Sequence, residues 1–166
     1  LIELTKGSLT LGNLIVEPFA VSHDSPDPLG INVFSGKDKV TVVPYTGVIS
    51  DSIFLRMDDT PLLVLEANYN PHMLRFGPYQ PFLKQRVASD EGHLSNEMAA
   101  QALLMMNRPD FMQVILAHRS ENNNNAVLVT QTIGKMLVDG GVRIGPEMKL
   151  QHGQPNEIVS MKSVKR

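Results

Sequence analysis

Two apolar runs of strand length limit what this chain can fold into. "PLLVLEAN" (Pro61 to Asn68) and "MQVILAH" (Met112 to His118) are almost wholly apolar until their polar ends. Each reads as a buried strand, and each leads toward a stretch of helical length. In "HLSNEMAAQALLMMN", Ser95 is placed to cap a helix, and Ala99, Ala102, Leu103 and Met106 recur at i, i+3, i+4 and i+7, one helical face. "AVLVTQTIGKMLVDGG" reads as a second helix stopped by Gly140-Gly141. Earlier, "SDSIFLRM" starts a helix with Ser50 or Asp51 as its cap.

The first third has a different rhythm. "LIEL", "SLTLG" and "NLIVEPFAV" are short strand-like segments, with Pro18 marking an edge or a bulge. "SHDSPDPLG" is turn chemistry throughout, and "INVFS" and "VTVV" flank "GKDK" as a hairpin. The opening is therefore expected to be a β-meander. The tail "EIVSMKSVKR" reads as a last strand, and the Asn122 to Asn125 tract as a loop. A meander followed by a βαβα series gives a mixed α/β layer architecture in a single domain spanning residues 1–166.

Composition narrows the function. Fifteen basic and seventeen acidic side chains in 166 residues give a formal net charge of −2, so any binding of nucleic acid must be local. There is no cysteine, which excludes disulfides and thiolate metal sites and fits a reducing compartment, the cytoplasm or an organelle matrix. No apolar run is long enough to span a membrane. The nine methionines are expected to fill core.

Polar residues gather where strands end, at His23-Asp24, Tyr45-Thr46, Asn68-Tyr69 and His118, and ligands of open α/β sheets bind at such ends. His23 is either a turn histidine tied to the loop backbone or a metal ligand whose second nitrogen a carboxylate or carbonyl holds. His118 is a strand-capping residue or a ligand. His93, just before a helix, would have its cation disfavoured by the helix dipole. It is either local structure, a neutral hydrogen-bond partner or a proton donor. His72 and His152 lie in turn-like surroundings and read as surface residues. No HExxH pair, GxSxG elbow or P-loop occurs.

"EPFAVSHDSPDPLG", "VTVVPYTGVISD", "LVLEANYNPHMLRFGPYQPFLKQRVASDEGHLSNEMAA" and "VILAHRSENNN" occur in this order from about Glu17 to about Asn125. Together they resemble the bacterial metallo-β-lactamase-fold hydrolases of the 5′→3′ exodeoxyribonuclease type, relatives of ribonuclease Z. The resemblance implies an αββα sandwich, of which this chain is mainly the second half. It implies two Zn²⁺ or Mn²⁺ ions activating water on a phosphodiester. It makes His23 and His118 metal ligands and His93 a residue assisting proton transfer to the leaving group. Asp24, Ser95 and Asn96 would support them from behind.

The chain departs from that pattern at three places. The family's upstream HxHxDH run is absent. The family's T-D-T-G appears as Pro44-Tyr45-Thr46-Gly47, so Tyr45 stands where a bridging carboxylate is expected. The family's N-H-D appears as Asn68-Tyr69-Asn70. Tyr45 and Tyr69 are then expected to fill the emptied cleft. The reading that follows is a degenerate, non-catalytic binding or assembly subunit, with zinc or manganese only if any ion is held. Its partner would be another protein chain or a second copy, and nucleic acid could meet Lys84, Arg86, Arg119 and the basic tail. The alternative is a metal-dependent phosphodiesterase whose HxHxDH half lies outside this chain.

Overall fold

In the computed structural model, which describes residues 7–154 and 158–160, the β-rich opening forms an antiparallel meander. Its strands are β1 (Leu9–Leu11), β2 (Leu14–Ala20), β3 (Leu29–Ser35) and β4 (Asp38–Val43). The β3–β4 hairpin closes from Ser35 to Asp38 across a turn in which Gly36 takes φ +60°, a conformation open to glycine. Among the described residues β1 pairs only with Leu14 to Val16, so Pro18 lies where β2 has no partner on that side.

Past β4 the pairing turns parallel. Helix α1 (Asp51–Met57) leads to β5 (Leu62–Glu66), then α2 (Pro71–Phe76), α3 (Pro81–Val87) and α4 (Asn96–Met105) lead to β6 (Met112–Ala117). Helix α5 (Ala126–Asp139) leads to β7 (Met148–His152), and the seven strands stand in the sheet in chain order. The expected caps form: Ser50 Oγ accepts from Ile53 N at 3.4 Å and Ser95 Oγ from Met98 N at 3.1 Å.

Three expectations need correction. The last strand is "MKLQH", which alternates only two apolar residues; Ile158 to Ser160 form no strand, and the rest of the expected tail strand lies outside the described residues. "LIEL" also lies outside them. Between Asn68 and His93, where the sequence reading places no element, Pro71 and Pro81 each open a short helix, suited to a first turn whose N–H groups have no partner.

The core lies on one face of the sheet. Val43, Leu63, Leu65, Met112, Val114, Leu116 and Met148 pack there against Ile53 and Met57 of α1, Ala99 and Leu103 of α4, and Ile133 and Leu137 of α5. Full burial of each Leu- or Ile-sized side chain contributes about 1.5–3 kcal/mol. The expected α4 face is the buried one. Met57, Met106, Met112 and Met148 fill core as expected, but Met105 is exposed.

Strand alternation leaves the opposite face apolar as well. Val16, Val33, Val40 and Leu62 form one cross-strand row, and Pro18, Ile31, Val42, Val64 and Ile115 a second. All nine are only partly buried.

Candidate functional site

The strand ends meet at one edge of the sheet. There β5 delivers Glu66, β6 runs into His118, β2 into His23, and β4 into Tyr45 and Thr46. Two glycines let the surrounding loops close. A Cβ on Gly47 would lie 2.2 Å from the Asp90 carbonyl oxygen, and one on Gly92 the same distance from that of Arg86. Neither space admits a methyl group.

The centre is Glu66, a fully buried carboxylate that the sequence shows only as part of a strand. Its Oε1 accepts from Nδ1 of His118 at 2.6 Å and from Nδ1 of His93 at 2.8 Å. Its Oε2 accepts from the backbone N–H of Thr46 at 2.9 Å and of Leu94 at 3.1 Å. Burial alone pushes Glu66 up, but the hydrogen bonds from His118 and His93 outweigh it, and the carboxyl sits below its ordinary range. The bond to Glu66 raises His118, against the opposing effect of burial. The one available signal for Glu66 was an acid closing an otherwise apolar run.

With Nδ1 of His93 and His118 spent on the carboxylate, each neutral ring keeps its lone pair on Nε2. A carboxylate behind an imidazole is the usual way to fix the tautomer of a metal-binding histidine. Glu66, His93 and His118 bring potential ligand atoms within 4.8 Å of one another. His118 is held in a left-handed backbone, φ 53°, where few non-glycine residues sit. Asn68 pins it there: its Nδ2 donates to the His118 carbonyl at 2.7 Å, and its own carbonyl accepts from Ser120 N.

His23 joins the same cluster. Its Nδ1 donates to the Gly92 carbonyl at 2.9 Å, so a carbonyl, not a carboxylate, holds the second nitrogen. Asp24 Oδ1 lies 3.6 Å from Nε2, while Oδ2 of Asp24 accepts from Arg86. That bond lowers Asp24 and raises Arg86 from their ordinary values. The His23 and His93 rings are 4.9 Å apart, and the His93 and His118 rings 5.0 Å. Tyr45 packs its ring 4.8 Å from His23 and 6.1 Å from His118.

The other two altered positions lie elsewhere. Tyr69 is buried with Leu74 and Val87 in a separate cluster, on which Tyr79 and Leu83 pack, so its ring serves that cluster rather than the imidazoles. Asn70 caps α2, accepting from Met73 N at 3.0 Å, a bond asparagine makes as well as aspartate. Ser95 caps α4, and Asn96 is buried against Asn124. Asn124 also donates to the carbonyls of Ala67 and Asn68, so part of the asparagine tract is an interior clamp on the end of β5. His72 is exposed as expected, but His152 is half-buried, its Nε2 2.8 Å from Thr130 Oγ1.

A cleft of about 400 Å³ opens over His23, His93 and His118, walled by Tyr79, Arg86 and Arg119. A pair of dications about 3.5–4 Å apart needs anionic oxygen between the ions. The donor set here does not fit such a pair: both Glu66 oxygens are engaged, Asp24 is paired with Arg86, Tyr45 is a phenol, and the imidazoles are neutral ligands.

No protein-family model matches the chain. It is 31% identical over 146 residues to exodeoxyribonuclease YycJ of Bacillus anthracis, covering 88% of this chain and 55% of that protein. It is 31% identical over 147 residues to exodeoxyribonuclease WalJ of Streptococcus pneumoniae, covering 89% and 55%. Thus the chain spans about half the length of the curated relatives it matches. Among solved structures, the metallo-β-lactamase fold protein YhfI of Bacillus subtilis superposes with a TM-score of 0.60 at 14% identity, over 91% of this chain and 52% of that one. Zn²⁺-bound PqqB of Methylobacterium extorquens gives 0.58 at 14%, over 91% and 49%.

Sheet and strand-end cluster thus define an α/β chain of the metallo-β-lactamase fold. Within that fold its sequence resembles the bacterial exodeoxyribonucleases named YycJ and WalJ, over about half of their length.

Proposed function

We propose that this chain is a binding and assembly subunit of the metallo-β-lactamase fold that takes nucleic acid into its imidazole cleft and does not by itself cleave phosphodiesters. The observation that carries this reading is the state of Glu66: the carboxylate that holds His93 and His118 spends both oxygens on four hydrogen bonds. The Tyr45 phenol packs against both His23 and His118, and Asp24, the carboxylate beside His23, is paired with Arg86. The nuclease relatives and the arginines at the cleft support nucleic acid as the ligand class. The apolar sheet face opposite the helices supports a second polypeptide layer as its cover.

Elemental analysis of the purified chain, paired with a DNA cleavage assay in Mn²⁺ or Zn²⁺, tests the reading. The expected result is no stoichiometric pair of ions and no cleavage. Two ions per chain together with turnover overturns it.

A second reading has its own support. The Nδ1–carboxylate bonds keep two imidazoles set to ligate, as in a working centre, and the chain spans about half of its relatives. On that reading a separate segment bearing HxHxDH covers the open face and completes a phosphodiesterase. Co-expression with such a segment, followed by metal analysis and the same assay, separates the two.

A further inference from the structure

We infer that the α2–α3 ridge, residues 71–87, is a stacking platform that lays single-stranded nucleic acid into the imidazole cleft. This rests on the nucleic-acid part of the reading above and adds where and how the strand is held.

The ridge is unlike the rest of the chain in charge. No acidic residue occurs between Glu66 and Asp90, while Arg75, Lys84 and Arg86 all do, in a chain whose net charge is −2. It is also unlike the rest in its exposed rings. Phe76 is 67% exposed and Phe82 71%, although Leu74 and Val87 on the same two helices are buried. Folding gives no reason for either phenylalanine, because the ridge is anchored through its other side.

The Phe76 ring is held rather than loose. The His72 ring packs tilted against Phe76, centroids 4.6 Å apart, and the Arg75 guanidinium lies 5.3 Å from the centre of the Phe76 ring. Lys84 Nζ donates to the Arg75 carbonyl at 2.8 Å, tying α3 to α2. From Phe76 and Phe82 the ridge continues into the cleft wall through Tyr79, Leu83 and Arg86, facing His93 and His118. Asp24 holds Arg86 by Nε, and its terminal amino groups carry no hydrogen bond among the described residues.

Exposed aromatic rings interleaved with cations, of which only Arg86 has a carboxylate partner among the described residues, suit a chain that offers bases to stack and phosphates to pair. A duplex keeps its bases stacked inside and would leave the rings unused. Apolar protein partners would leave the cations unpaired.

The test is fluorescence anisotropy of labelled oligothymidylate with the full chain in EDTA, so that metal uptake and cleavage do not enter. Wild type is expected to bind the single strand more tightly than a duplex of equal length. Phe76→Ala with Phe82→Ala should weaken binding about tenfold or more with an unchanged salt slope. Arg75→Gln with Lys84→Gln should flatten the salt slope instead. The control pair Leu55→Ala and Val138→Ala, also exposed but outside the ridge, should change nothing.

The inference fails alone if wild type binds DNA but the phenylalanine variant binds equally well, or if duplex binds as tightly as single strand. It also fails if the phenylalanine variant alters only self-association in sedimentation, which would make the ridge a protein contact. No binding of any DNA by wild type sinks both the inference and the nucleic-acid reading beneath it.

Discussion

Nδ1 of His118 lies 2.6 Å from Oε1 of Glu66, and the left-handed backbone at His118 is what brings the ring there from the end of its strand. Sharing that oxygen with His93 makes Glu66 the member the others depend on. Glu66→Gln keeps the shape but sets an uncharged amide against donors that need an anion. Urea unfolding should show a loss of about 1–3 kcal/mol. His118, followed by NMR titration, should fall back toward its ordinary value.

The same contact sets a pH dependence. His118 is raised above its ordinary 6.5, so its contribution is complete below about that pH and is lost as pH rises through its folded value. Glu66 is held below 4.5, so its contribution is present above that pH and is lost as pH falls through its lower folded value. The urea midpoint gained from this contact should therefore be greatest between about 4.5 and 6.5. His118→Gln should flatten the profile on the alkaline side of that window.

Tyr45→Asp returns a carboxylate beside His23 and His118. Calorimetry should then show Mn²⁺ or Zn²⁺ bound about tenfold or more tighter than by the unaltered chain. An unchanged affinity would mean that this position does not face a metal. The companion change Tyr69→His should add little to affinity and should destabilise, since Tyr69 is packed against Leu74 and Val87.

Gly47→Ala would place a methyl carbon 2.2 Å from the Asp90 carbonyl, a backbone atom with nowhere to retreat. The expected cost is about 1–3 kcal/mol, read as a lower Tm. The loop carrying Asp90 to Gly92 also holds His23 through the Gly92 carbonyl, so the His23 ring resonances should shift as well.

The apolar rows opposite the helices make a prediction about mass in solution. The chain on its own should sediment with rising apparent mass as concentration increases. Ile115→Lys, at the β6 end of that face, should hold it at monomer mass with little change in Tm.

Much of this fold is visible in the order of the residues. Period-two alternation and the "GKDK" turn reveal the meander, and serine caps reveal α1 and α4, because these signals act over a few residues. The short helices α2 and α3 escape because each is barely two turns long and no apolar period can build up. Strand β7 escapes because only Met148 and Leu150 mark it, while the tail beyond it is more apolar. At the site, the histidines stand out as residue types and at strand ends. Glu66 does not, because its importance lies in what surrounds it: two imidazoles and two amides from segments distant in the chain. Tyr69 and Asn70 look like losses beside Tyr45, yet one is claimed by packing and the other by a helix cap. Adjacency in a motif does not fix which way a side chain turns.

The strands lie side by side in the order in which they are made. Each finds its neighbour in the segment synthesised just before it, so none has to keep a slot vacant for a later arrival. Such a sheet can lengthen outward from the first hairpin as the polypeptide emerges from the ribosome, with its pairing entropy met one strand at a time.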